Sequence, residues 1–108
     1  MLTFTSLEGD DYDATPDQVP ELIAQLVNAS DEEPDVGFSW ENIGVGLFQS
    51  NWLSIEDLEA DTLEPHSFRA PDVETIIDIA RLLEAGKIDE IMANYPWEKG
   101  YPKDDRPR

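Results

Sequence analysis

Along this chain the spacing of apolar residues changes between a period of two and a period of about 3.6, and the changes outline the elements. Residues 2–7, LTFTSL, alternate and are rich in β-formers, which predicts an N-terminal strand with Leu2, Phe4 and Ser6 on one face. Residues 9–15 combine turn formers with carboxylates and read as a loop. Thr15-Pro16-Asp17-Gln18 has the spacing of a capping box, but a helix begun there would set Pro20 one turn in, against a carbonyl behind it. A start with Asp17 as cap and Pro20 inside the first turn avoids the clash. Leu22, Ile23, Leu26 and Val27 then make the apolar stripe, which fades by Ser30.

Residues 30–37 form a second acidic loop. Val36, Phe38 and Trp40 alternate, as do Ile43, Val45 and Leu47, which predicts two strands joined at Glu41-Asn42 or broken by Gly44 and Gly46. Glycines inside a strand mark a bulge or a close approach of backbone. Trp52, Leu53 and Ile55 extend the sheet. For residues 54–64 two patterns compete. Ser54 with Asp57 three residues later is a capping signature for a helix that Pro65 stops; a strand would instead turn Asp57, Glu59 and Asp61 to water. The capping signature favours the helix.

The strongest periodicity follows Pro71. Asp72 and Glu74 suit a first turn, Val73, Ile76, Ile77, Ala80 and Leu83 form a core stripe widened by Ile79 and Leu82, and Gly86 closes the helix, with Ile88 packing back on it. Asp89 caps a shorter helix with Ile91 and Met92, ended by Tyr95-Pro96. The pattern predicts an α+β fold, a small and mainly antiparallel sheet with two or three packing helices. Residues 1–98 make a single globular acidic domain, and 99–108 a loosely ordered basic C-terminal tail. There is no internal repeat.

Charge changes the picture more than composition does. The chain of 108 residues is 40% hydrophobic, enough for a small core, yet carries a net charge of −18. Residues 1–68 hold sixteen acids and no Lys or Arg. Neutralisation there must come from the far end of the chain, from ions or from another molecule, because compaction brings like charges together. Arg69, Arg81 and Lys87 are the only cations before the tail, where Lys99, Lys103, Arg106 and Arg108 stand. With no cysteine there is no disulfide and no thiolate ligand, which fits a reducing cytosol. No signal peptide or membrane-spanning run is expected, and an anionic surface disfavours direct contact with nucleic acid or anionic lipid.

Chemistry is hard to place. A calcium loop counted from Asp11 gains Asp13 and Thr15, but meets Pro16 where glycine is needed and Leu22 where a bidentate glutamate is needed. His66, the only imidazole, sits between Pro65 and Ser67 with no nucleophile-elbow sequence anywhere, and no glycine-rich phosphate loop appears. No cofactor, no metal and no enzymatic activity are expected.

The acids read better as a surface. Asp10, Asp11 and Asp13 form one cluster and Asp31, Glu32, Glu33 and Asp35 a second. In a helix over 54–64, Asp57, Asp61 and Glu64 would share a face, broadened by Glu56 and Glu59. Solubility explains a net charge of magnitude about 2–8 on a small domain; the excess points to a basic protein as partner. Trp52, between a polar run and the acidic segment, and Trp97, at the head of the tail, are candidate interface anchors, whereas Trp40 falls on a core-facing strand position. The segments GDDYD, SDEEPD and IEDLEADTLE, together with size and absence of cysteine, resemble the small acidic immunity proteins of bacterial toxin–immunity pairs, including those of contact-dependent growth inhibition. That resemblance implies a cytoplasmic antitoxin that occludes a cognate nuclease toxin. Two alternatives are a DNA-mimic inhibitor of a restriction or defence nuclease and a non-inhibitory adaptor domain.

Overall fold

The computed structural model describes residues 2–6, 9–27, 36–48, 51–57 and 64–100. Seven strands form one antiparallel sheet, β1 (Leu2–Thr5), β2 (Asp11–Ala14), β3 (Val36–Trp40), β4 (Ile43–Leu47), β5 (Trp52–Asp57), β6 (His66–Arg69) and β7 (Glu98–Lys99), in the spatial order β2-β1-β3-β4-β5-β6-β7. Three helices accompany it: α1 (Val19–Val27), α2 (Val73–Glu84) and α3 (Ile88–Asn94). This is an α+β domain, as the alternation of periods predicts.

Pairing registers sort the side chains into two unlike faces. Tyr12, Phe4, Phe38, Val45, Ile55 and His66 follow one another across the sheet, and beside them run Val36, Leu47, Leu53 and Phe68. All of these except Tyr12 and His66 are buried, in one core with Leu22 and Leu26 of α1, Ile76, Ile79, Ala80 and Leu83 of α2, and Ile91 of α3. The helices therefore cover this side. A strand has a period of two, so the residues between must point to the other side. There stand Thr3, Thr5, Gly37, Ser39, Gly44, Gly46, Ser54 and Ser67.

Three local predictions are corrected by what the backbone can pair with. Residues 11–14, read as loop, form β2 against β1, because Tyr12 and Ala14 lie opposite Phe4 and Leu2. The Asp17 cap is replaced by a 3-10 turn, Pro16–Gln18, capped from Thr15. Gln18 Oε1 accepts from the Thr15 N–H at 3.0 Å, and the Gln18 N–H donates to the Thr15 carbonyl at 2.9 Å. The α-helix then starts at Val19, so Pro20 falls where a helix has no acceptor for its N–H. Third, residues 54–57 belong to β5 and not to a helix: Ile43 pairs with Asp57, Gly44 with Glu56 and Val45 with Ile55. Pairing of Leu53 and Ile55 with β4 buries both side chains completely, which outweighs a local cap worth about 1 kcal/mol. Residues 58–63 lie outside the described part.

Helix α2 follows the expected pattern closely, whereas β6 and β7 form where no strand was expected. Asp72 caps α2, its Oδ1 accepting from the Thr75 N–H at 2.9 Å. The helix ends in a paired closure, Gly86 N–H to the Leu83 carbonyl and Lys87 N–H to the Leu82 carbonyl, both at 2.9 Å, with Gly86 at φ +74°. A Cβ there would lie 3.2 Å from the Trp40 ring, so the helix end and the sheet meet at this glycine. Lys87, not Asp89, is the residue before α3, since the closure runs directly into it; Asp89 stands in the first turn. Trp40 is half-buried against the core.

Gly37 is required for a different reason. It faces the side of the sheet away from the described helices, and a Cβ there would come 2.2 Å from the Val45 carbonyl oxygen. The backbones of β3 and β4 close on each other at this point. At its partner Gly46 a Cβ would meet the Ser54 hydroxyl at 3.0 Å, a group that can rotate aside. Gly37→Ala is therefore expected to cost at least about 3 kcal/mol in urea unfolding, and Gly46→Ala about 1 kcal/mol. Equal effects of the two substitutions would contradict the close approach at Gly37.

Candidate functional site

The face over which no described helix lies is organised in rows that cross the strands. One row runs Asp11, Thr5, Gly37, Gly46, Ser54, Ser67 and Glu98, through all seven strands. At a strand spacing of about 4.8 Å its contour is roughly 29 Å. A second row runs Asp13, Thr3, Ser39, Gly44 and Glu56. Each row begins and ends on a carboxylate, with only Thr, Ser and Gly between. A third, shorter row sets Trp52 beside Arg69.

Small side chains leave a trough. Thr5, Gly37, Ser39, Gly44, Gly46, Phe48, Ser54 and Glu56 line a depression of about 390 Å³. Its floor is closed at Ser54, which is 4% exposed, and Ser67 beside it in the row is 3% exposed. Phe48 leans over Gly46, whose added Cβ would sit 3.5 Å from the ring. The floor thus offers hydroxyls and backbone, while the margins offer charge.

Asp11 is held in place at one margin, where its Oδ1 accepts from the Thr5 hydroxyl at 2.8 Å. Asp10, Asp11 and Asp13 are all exposed, as is Glu64 beyond the start of β6. Glu56 is half-buried at the inner end of its row. Trp52 is half-buried on the same side as Ser54 and Glu56, at the end of β5. Of these, Asp11, Asp13, Glu56 and Trp52 are brought by the fold toward one face of the sheet.

Others it takes elsewhere. Asp57 is only 5% exposed and lies on the helix-covered side opposite Ile43, so it forms no shared helical face with Glu64. Trp97 is engaged within the domain: its indole N–H donates to the Ile91 carbonyl at 2.8 Å and its ring meets Phe68 edge-on at 4.6 Å. Asp31, Glu32, Glu33, Asp35, Glu59 and Asp61 lie outside the described residues. Thr3, Thr5, Ser39, Ser54, Ser67 and Phe48 were not singled out from sequence. For the Thr and Ser residues the signal was present as the small polar half of each strand alternation, which reads as ordinary surface until the strands are set side by side; Phe48 lies just past the end of β4.

Elsewhere charge is paired locally. Arg81 reaches across from α2 to Asp17, Nη2 to Oδ1 at 3.2 Å, so the far end of the chain does supply a cation to the acidic half. Both groups are largely exposed, which limits the gain to under about 1 kcal/mol. The Thr75 hydroxyl and N–H both donate to Asp72, holding its carboxyl below the usual range. His66 Nδ1 is 2.7 Å from the Glu64 carbonyl, on the side away from the trough. Among the described residues no group of three or more His, Cys, Asp or Glu could hold a metal ion, and no helix is long and apolar enough to cross a membrane. The chain matches no family model, and no curated protein or solved structure is significantly similar to it.

The Tyr95 hydroxyl donates to the Asp78 carboxylate, tying the end of α3 to α2, while its ring stacks on Phe68 at 5.6 Å. Burial, and then Asp78, push the phenol up to about 12. An unfolded tyrosine titrates near about 10, so this contribution is complete below pH 10 and is lost as the pH rises through about 12. Tyr95→Phe is expected to lower stability by about 1 kcal/mol at neutral pH and to unfold with a shallower alkaline limb than the parent. Identical pH profiles for parent and variant would exclude the Tyr95–Asp78 tie.

Proposed function

We propose that this chain is an acidic binding protein that seats a strongly basic protein on the helix-free face of its sheet and so neutralises it. The proposed partner is a toxin or nuclease domain, the action cytoplasmic, and the role that of the immunity proteins the sequence resembles. The observation that carries this reading is the trough, whose polar floor of Thr, Ser and Gly is bounded by Asp11 and Asp13 at one margin and by Glu56 and Glu98 further across.

Such a surface is suited to long cationic side chains. A Lys or Arg can lay its stem over glycine backbone and half-buried Phe48 or Trp52 while its head meets a carboxylate. Nuclease clefts are built from such cations, because they bind phosphate. Like charge on so much of the chain would also speed encounter with a basic partner and make it steeply dependent on salt. Catalysis has less support, since the trough contains no histidine and no described metal ligand set.

The DNA-mimic reading calls for carboxylates in a double line along an extended face. Among the described residues the carboxylates of this face stand at the ends of its rows, with uncharged side chains between. That arrangement favours a bounded seat for one basic partner.

The test places cations in the trough. Ser39 lines the trough and Thr3 is its half-buried cross-strand neighbour on the same face, away from the core. Using a basic partner captured at low salt and then purified, Thr3→Lys with Ser39→Lys is expected to slow association on the order of tenfold or more, with unfolding unchanged to within about 1 kcal/mol. The parent's association rate should itself fall on the order of tenfold between low and high salt. Binding indifferent both to salt and to these lysines would end the proposal.

A further inference from the structure

The outer edge of β2 carries a second and more specific message. Among the described residues β2 is the last strand of the sheet on its side and pairs only with β1. In an antiparallel pair, residues alternate between those bonded to the neighbour and those whose backbone groups point away. The Ser6 N–H donates to the Asp10 carbonyl at 2.9 Å, which sets the phase of this ladder. Counting on by twos, Tyr12 and Ala14 bond toward β1. Asp11 and Asp13 turn their N–H and C=O groups outward, where no described strand meets them.

Side chains on these residues say what could come. Tyr12 is the only large hydrophobic side chain exposed among the described residues, at 38%, with its ring edge-on to Phe4 at 5.8 Å. It stands between Asp11 and Asp13, which project to the opposite face of the strand. Open backbone, an exposed aromatic and alternating carboxylates thus coincide on one short strand. A bare edge invites strand addition, and proteins commonly block it with charge. Carboxylates do block one visitor, a second copy of this chain, because Asp would face Asp. They do the reverse for a cationic strand.

We propose that the β2 edge receives an extended segment of the basic partner as an eighth strand, read by its side-chain alternation. Lys or Arg at two positions spaced by one would lie across from Asp11 and Asp13, and an apolar residue between them would pack on Tyr12. The pairing geometry agrees. Asp11 and Asp13 would exchange both backbone bonds with the new strand, and Tyr12 would sit in the closer, unbonded pair where side chains touch. The inference rests on the proposed basic partner, and adds both its local conformation and a sequence pattern. The new strand would also extend the Asp11 and Asp13 margin of the trough, joining the two surfaces.

The experiment uses the full chain, isotopically labelled, with short synthetic peptides of alternating Lys and Val, alternating Glu and Val, and the Lys–Val composition in scrambled order. Only the alternating Lys–Val peptide is expected to slow hydrogen exchange at the Asp11 and Asp13 amides. Asp13→Pro deletes an outward N–H that β1 does not use, and should weaken that binding about tenfold, whereas Asp13→Asn, which keeps the N–H, should weaken it about threefold. Asp11→Lys with Asp13→Lys should reverse the preference to the Glu–Val peptide, which also covers the case that the proline variant does not fold. Lys–Val binding that perturbs Thr3 and Ser39 but leaves the Asp11 and Asp13 amides unprotected would overturn strand addition and spare the trough. Absence of binding by either Lys peptide at low salt would overturn both.

Discussion

A sheet covered by helices on one side only must solve two problems with one set of strands. Every second residue has to satisfy a dry core, and every residue between has to make a surface that does not collapse or aggregate. Here the first set is Leu2, Phe4, Val36, Phe38, Val45, Leu47, Leu53, Ile55 and Phe68, all buried. The second is Thr3, Thr5, Gly37, Ser39, Gly44, Gly46, Ser54 and Ser67. Because registers fix both sets together, a slip of one residue would exchange them and lose the core. The character of the open face is therefore a consequence of the same pairing that makes the protein fold, and the trough is as well determined as the core beneath it.

How much of this could be read from residues alone depends on whether a signal was local. The β3–β4 connection at Glu41-Asn42 was legible because two alternating runs flank it, and Glu41 does adopt a positive φ of 54° there. Helix α2 was legible from its stripe and its closing glycine. The failures share a cause. Ser54 and Asp57 carry a genuine capping signature, and residues 9–15 a genuine turn composition, but both were overruled by a neighbouring strand that buries Leu53 and Ile55 in one case and covers Phe4 and Leu2 in the other. Strand pairing is a property of two segments, so a window along one of them cannot weigh it. The candidate site suffered most. Carboxylate clusters are visible in sequence, whereas a floor of Thr, Ser and Gly emerges only when five or more strands are laid side by side.

Charge and structure can now be weighed against each other. The excess of acid in residues 1–68 meets Arg81 from the far end of the chain on Asp17, at an exposed pair of small worth. Self-repulsion is thus left standing, and the fold mitigates it by position more than by pairing. Asp11 and Asp13 lie at one end of the rows, Glu56 and Glu98 further on, and Asp72, Glu74 and Asp78 on the opposite side along α2. Separation lowers repulsion and leaves Asp11 and Asp13 exposed at the sheet margin. Hydrated carboxylates around a polar hollow cost little to the free protein and gain most when a cation arrives, since the partner then neutralises repulsion as well as forming contacts.

The choice between protection and recruitment at the β2 edge turns on which sign of charge does the protecting. Lysine is the usual blocker of an exposed edge, and it repels cations as well as other lysines. Residues 1–68 contain no lysine or arginine, so this edge is guarded against its own kind alone. A strand that needed only solubility would have no use for Tyr12, whose ring meets Phe4 edge-on and is itself partly exposed to solvent. An exposed aromatic flanked by carboxylates discriminates among visitors: it rejects an acidic or purely polar strand and accepts one that is apolar and cationic in alternation. Selectivity of that kind follows from the geometry of a pleat, with both functions on adjacent residues facing opposite ways, and it requires no change in the sheet beyond one more strand.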